Sequence, residues 1–353
     1  MQGATLMPAN STSEDIQAAL DRLPGGGEVD LAPGLYTIHQ PIVLRRDNLT
    51  LRGGGVNTIL RLADHANCPV IILGAPLIQP RQLTAHVCVA DLFIDGNRTN
   101  QQVELWRSAM DGAQLNNNGI DVWNVNDAAV ENVVCCRCRS GGLVTAETRR
   151  LKVSDYTAFD NHFDGLACYQ TEESSFNRLH LHDNICAGIS LDLAFNHNVI
   201  DDAELTGNNL GVFMRDSRDN VFKGVKISKS QRHGVFMAQA AVRGTECTGN
   251  SFDGLAISNS GGKAFVVNNA SCKNNTIRNA RFLDNVLGGL SETEGKATGV
   301  SLTFAEPQFV EPKMIAKAEV QTIQTRHEDV VTSAPKIDPP VKIRPVETSV
   351  AMP

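Results

Sequence analysis

The chain has 353 residues, a formal charge of −7, 42% hydrophobic residues and 20% charged residues. That apolar share can bury a core and excludes a chain disordered throughout, while the acidic balance removes any electrostatic reason to expect nucleic acid or an anionic membrane as partner. No run of 18 apolar residues occurs, so no membrane span is predicted.

The first 14 residues lack a basic segment followed by an apolar run. No signal peptide is read there, and the expectation is a cytoplasmic chain or one exported without a leader. Residues 1–12 are expected to be flexible. Residues 11–23, STSEDIQAALDRL, predict a short helix with Ser13 as N-cap and Ile16, Ala19, Leu20 and Leu23 on one face. Pro24 and three glycines end it. Short strand-like segments follow, VDLAPGLYTI, PIVLRRDNLTLRG and TILRLA, then Leu92 to Asn97 as strand and turn. Residues 97–117, polar and irregular, are expected to protrude as a loop.

A repeat then becomes visible. Gly119, Gly142, Gly165, Gly188, Gly211 and Gly234 stand 23 residues apart. Each is followed by an aliphatic residue, and two positions further on come Val122, Thr145, Cys168, Leu191, Met214 and Met237, the alternation of a half-buried strand. A second apolar column runs through Val130, Val153, Phe176, Val199 and Phe222. Helical repeats are longer, and no leucine-rich frame is present. The expected fold is therefore all-β, a right-handed parallel β-helix of 23-residue coils with a short N-terminal capping helix, spanning residues 13–305. The next matching glycine is taken as Gly262, with AQAAVRGTEC as an inserted loop. Residues 306–353, rich in proline, are expected to form a largely disordered tail. The nine cysteines, an odd number at irregular spacing, argue against a disulfide framework and for ordinary thiols, several of them buried.

The same period sorts the outward residues into columns. Asp121, Trp123, Tyr169, Asp192 and Arg215 share one face, with Asp164, His162 and His233 at its edge. Aromatic faces stack on sugar rings, and charged groups orient hydroxyls or uronate carboxylates. Each has a plainer reading: Asp192 and Arg215 as a surface ion pair, Trp123 and Tyr169 as satellite core, His162 and Asp164 as turn residues. Stacked Phe213 and Phe236 imply a covering segment or an apolar patch. Asp160 and Asp164 are the carboxylates that would hold Ca²⁺, the one cofactor considered. Asp202 falls at an inward position by this count.

The opening DIQAALDRLPGGGEVDLAPGLYTI and units such as DNHFDGLACYQTEESSFNRLHLHDNICAGISLDL resemble the pectate-lyase-like superfamily, including the repeats of mannuronan C5-epimerase modules. The resemblance covers residues 14 to about 290 and implies a carbohydrate-active protein. It implies a lyase or epimerase on a uronate polysaccharide, with a glycoside hydrolase or a non-catalytic scaffold as alternatives. Some such folds assemble as homotrimers. The epimerases carry Asp-Pro-His where this chain has Asp160-Asn161-His162, and Asp164 matches a catalytic aspartate that precedes a repeat glycine. Polygalacturonases pair two aspartates with Gly-His-Gly; here Asp201-Asp202 precedes Arg232-His233-Gly234. On the lyase or epimerase reading, His162 or Tyr169 is the base and Arg215 the charge neutraliser. Asp164 and Asp192 orient the substrate or bind Ca²⁺, and Asp121, Trp123 and His233 bind the sugar.

Overall fold

The computed structural model describes residues 4–75, 83–102, 117–240, 245–292 and 301–303. Loop tip 103–116, part of the insertion before Cys247, and the tail with its boundary near residue 305 fall outside them. A nine-residue helix, α1 (Ser13–Asp21), precedes the solenoid. Its N-cap is Thr12, not Ser13: the Thr12 hydroxyl accepts from the Asp15 N–H, and Asp15 caps Thr12 in return. Ser13 is instead the first helical residue and is fully buried. Ile16, Ala19 and Leu20 close the end of the core, which would otherwise expose strand edges.

Beyond α1 every described pairing is parallel, in one sheet of 17 described strands and a second of 13. The second sheet carries the candidate site. Its central strands are β1 (Ile120–Asn126), β2 (Leu143–Arg149), β3 (Leu166–Glu172), β4 (Ala187–Asp192), β5 (Leu210–Arg215) and β6 (Val235–Ala238). The inward column Val122, Thr145, Cys168, Leu191, Met214 and Met237 is in register and almost fully buried. Cys135, Cys136, Cys138, Cys168, Cys247 and Cys272 are buried thiols.

Two devices turn the period into coils. The first is a set of corners in left-handed backbone: Asn124, Asp127, Asn132 and Arg137, then Glu147, Arg150, Asp155 and Asp160, then Gln170, Glu173, Arg178 and Asp183. Asn and Asp tolerate this region best, which explains their abundance. The second is asparagine ladders inside the corners. Asn161, Asn184 and Asn208 link side chain to side chain at 2.9 and 3.0 Å, and Asn198, Asn220, Asn250 and Asn275 at 3.1, 2.9 and 2.9 Å.

The glycine column has a different cause. A Cβ at Gly142 would lie 2.6 Å from the Tyr156 hydroxyl and 2.7 Å from the Gly165 carbonyl oxygen of the next coil. Gly119, Gly211 and Gly234 meet the following carbonyl at 2.5–2.7 Å. Close approach of coils, not an unusual φ, excludes a side chain here. Gly142→Ala is expected to lose about 2 kcal/mol, the usual scale of overpacking, read as a lower denaturation midpoint at unchanged m-value.

Three details differ from the sequence reading. Phe176 pairs with Ile200, and Ile200 with Phe222; Val199 is exposed rather than inward. Asp202 is exposed at a left-handed corner, not inward. Val235 pairs with Phe265, so Ala264, not Gly262, is the counterpart of Gly234, and the ladder step across the insertion is 30 residues.

Candidate active site on the second sheet

Trp123, Ala146, Tyr169 and Asp192 occupy one outward column in register. Arg215 continues it, its guanidinium paired with the Asp192 carboxylate. That guanidinium also lies 5.0 Å from the centre of the Phe213 ring. Phe213 stacks on Phe236 at 6.0 Å and 7°, and Phe236 on His233 at 6.0 Å and 25°. The two phenylalanines, both half-buried, thus belong to a continuous strip from carboxylate to imidazole.

Asp164 closes the strip from the preceding corner. Its Oδ1 accepts the Ala187 N–H at 2.7 Å, and the Ser190 hydroxyl bonds the same carboxyl. Burial nevertheless outweighs both bonds and pushes Asp164 up to about 7. Burial also raises the Tyr169 phenol well above its usual value; the nearby Asp164 and Asp192 carboxylates add to this and Arg215 opposes it. Asp164, Asp192 and Arg215 therefore each lie within electrostatic reach of Tyr169. Asp192 is raised as well, by burial, against the pull of Arg215.

The corner after Asp192 is unusual. Leu193 and Ala194 both take left-handed backbone, with φ of 52° and 73°. The neighbouring coils use a single residue there, Gln170 or Asp216. A bulky residue in that region is strained, and such strain collects at functional sites. The Leu193 N–H donates to Asp192 Oδ1 at 2.8 Å, which fixes the carboxylate. This extra residue displaces the following register, which is why the second apolar column runs through Ile200.

His162 and Asp160 lie at the corner that carries Arg98. His162 sits at the corner beside Arg98 and Arg139, edge-on to Phe163 at 5.9 Å, and burial with those two cations lowers its pKa. Asp160 is paired with Arg98 at 2.9 Å, at a left-handed corner. Among the described residues no three His, Cys, Asp or Glu side chains are placed to hold a metal ion. Asp201 and Asp202 lie on a strand of the first sheet (Val199–Thr206), whereas His233 precedes β6 of the second; the hydrolase-like match is not one site. His233 Nδ1 accepts the Lys263 N–H at 3.0 Å, leaving the proton of the neutral ring on Nε2. Burial, ahead of the Arg232 charge, keeps its pKa low.

Asp121 is 4% exposed and its Oδ1 accepts from the Asn118 amide at 2.7 Å. Its Oδ2 is buried without a hydrogen-bond partner, and burial raises the group to about 7. A carboxyl raised in the folded state favours folding only while protonated. Stability is therefore lost as pH rises from about 4 to about 7, and the loss is complete above that. Asp121→Asn is expected to raise unfolding free energy by about 3 kcal/mol at pH 8 and to change it little at pH 4, measured by urea unfolding at both values.

The register, the left-handed corners and the inward ladders define a right-handed parallel β-helix with its candidate site on one outer face. Residues 94–301 match the family described as periplasmic copper-binding protein (NosD), and the chain belongs to that family. Among solved structures it is similar to the A-module of mannuronan C-5 epimerase AlgE6 from Azotobacter vinelandii, with a TM-score of 0.59 and 17% identity over 85% of this chain and 97% of that one. It is similar to ORF18 of Geobacillus virus E2, with a TM-score of 0.64 and 14% identity over 79% and 56%. It is also similar to the catalytic domain of a GH87 α-1,3-glucanase solved with tetrasaccharides, with a TM-score of 0.53 and 12% identity over 86% and 68%. These likenesses establish the shared fold. No curated protein matches the sequence.

Two elements of the site escaped the sequence reading. Asn118, which holds Asp121, left no signal beyond its place before a repeat glycine. The Leu193–Ala194 corner did leave one, a 24-residue step from Phe176 to Ile200 followed by a 22-residue step to Phe222, where the glycine frame keeps 23.

Proposed function

We propose that the chain acts on a uronate-containing polysaccharide as a C5 epimerase or a lyase. One observation carries this reading: Asp164, titrating near 7, shares a face with a protonated phenol and an arginine. A base with such a pKa is well matched to removing a proton at neutral pH. Asp164 takes the C5 proton of the uronate, and Arg215, with donors beyond its Asp192 bond, stabilises the negative charge that develops on the substrate carboxylate. Tyr169, whose phenol stays protonated, is the acid. In epimerisation it returns a proton to C5 from the opposite face. In elimination the C4–O bond breaks as a C4–C5 double bond forms, and the proton goes to the departing glycosidic oxygen. Trp123, Phe213, Phe236 and His233 supply ring faces for neighbouring sugars, and Asp121 lies in the adjoining column.

A non-catalytic glycan-binding or structural scaffold is the second reading. It is favoured by the burial of Asp121, Asp164 and Asp192, of which 4%, 8% and 2% is exposed. The family description names copper. Among the described residues the donor set for a metal centre is not assembled, and no step is assigned to one. Incubation with a panel of uronate polymers, following ultraviolet absorbance of unsaturated products, C5 configuration by NMR and new reducing ends, separates the readings. Unsaturation or inversion supports the proposal. Reducing ends without either identify a hydrolase, and no change on any polymer leaves the scaffold.

A further inference from the structure

Cys247 and Cys272 lie outside the acid–base group. The Asn275 amide donates to the Cys247 carbonyl at 3.1 Å, and the Thr248 hydroxyl to the Lys273 carbonyl at 2.8 Å. The Asn250 N–H reaches the Asn275 side chain at 3.0 Å. These bonds place Cys247 and Cys272 at equivalent positions of successive coils. Adjacent parallel strands are about 4.8 Å apart, inside the range of about 4.4–6.8 Å between Cα atoms that a disulfide requires. The two thiols are hydrogen-bonded to each other and both are fully buried.

We propose that Cys247 and Cys272 are a disulfide-forming pair, closed by thiol–disulfide exchange as the last coils fold. The oxidant is a small disulfide such as oxidised glutathione. The Cys272 thiolate attacks one of its sulfurs, forming a mixed disulfide and expelling one thiolate. Cys247 then attacks the Cys272 sulfur, forming the Cys247–Cys272 bond and expelling the second thiolate. The two protons lost by the cysteines go to the two expelled thiolates; the protein loses two electrons and the oxidant gains them. Cys272 is suited to the first attack, since the hydrogen bond from Cys247 lowers its pKa, whereas burial holds Cys247 well above the usual range.

The bond would fasten the coil that carries the long insertion. The Cys247 sulfur lies 3.5 Å from the Ala238 carbonyl oxygen, at the end of β6, so closing the pair fixes the strand that presents Phe236. Cys135 and Cys138 also approach each other, both within 3.2 Å of a Cβ built at Gly119. There, however, the Cys138 thiol is directed to the Cys136 carbonyl and Cys135 to the Tyr156 hydroxyl.

The test uses the full chain refolded with oxidised glutathione, alkylated in denaturant and digested with trypsin. Cleavage after Arg243, Lys263 and Lys273 puts Cys247 in peptide 244–263 and Cys272 in peptide 264–273, each with no other cysteine. The expected result is one cross-linked species joining these peptides, two hydrogens lighter than their sum and resolved by reduction, with seven cysteines alkylated. Cys272→Ser should remove it without creating another cross-link. Nine alkylated cysteines in the oxidised wild type, or a link joining Cys135 to Cys138 instead, would overturn the proposal. Protein purified from an oxidising compartment without unfolding gives the same readout if refolding yields are low.

Discussion

Asp164→Asn is expected to reduce turnover on a uronate polymer by about a hundred- to ten-thousand-fold, the usual contribution of a positioned base. The substitution keeps the shape of the side chain and an oxygen to accept the Ala187 N–H, so the fold is expected to persist. What it removes is the titrating group. Wild-type turnover should rise with pH through about 7 as Asp164 ionises, and the variant should lack that limb. Tyr169→Phe should lose a comparable factor without shifting the limb, because the phenol is protonated throughout the range. Steady-state rates from pH 5 to 9 decide between these roles. A limb that survives in Asp164→Asn assigns the base elsewhere.

Asn184→Leu is expected to destabilise the protein by about 4 kcal/mol. Asn184 is 1% exposed and stands mid-ladder. Its amide donates to Asn208 Oδ1 at 3.0 Å and to the Ala158 carbonyl at 3.1 Å, while its oxygen accepts from the Asn161 amide at 2.9 Å and the Asn161 N–H at 3.3 Å. Leucine has the same side-chain branching but leaves the Asn161 donors and the Ala158 carbonyl buried without these partners. Each orphaned group contributes a penalty of about 1–3 kcal/mol, and a broken network loses more than isolated pairs suggest. Chemical unfolding should show the loss. A change below about 1 kcal/mol would mean that the ladder is incidental to the coil corners.

The architecture was readable because its causes repeat. A side chain at Gly142, Gly211 or Gly234 would collide with the next coil, so glycine recurs wherever the coils approach most closely. The outward column followed from the same count: Trp123, Ala146, Tyr169 and Asp192 stand in register. What the count could not supply was departure from regularity. The paired left-handed residues Leu193 and Ala194 make the step to Ile200 one residue longer than the glycine frame predicts, and Asp202 moves outward with it. His162 lies two residues from Asp164 in sequence, yet the corner sends it toward Arg98 and Arg139. Nor did spacing indicate that Asp121 and Asp164 would be buried deeply enough to titrate near neutrality. That follows from solvent exclusion at a folded surface, which strand periodicity does not encode.

The most direct test of the proposed chemistry is proton exchange at C5 in heavy water. Uronate polymers incubated with the protein in D₂O should acquire deuterium at C5, or form unsaturated ends, at a rate that collapses in Asp164→Asn. Polymers recovered with their C5 protons intact and their chains uncleaved, after incubation with protein shown to be folded, would contradict the account.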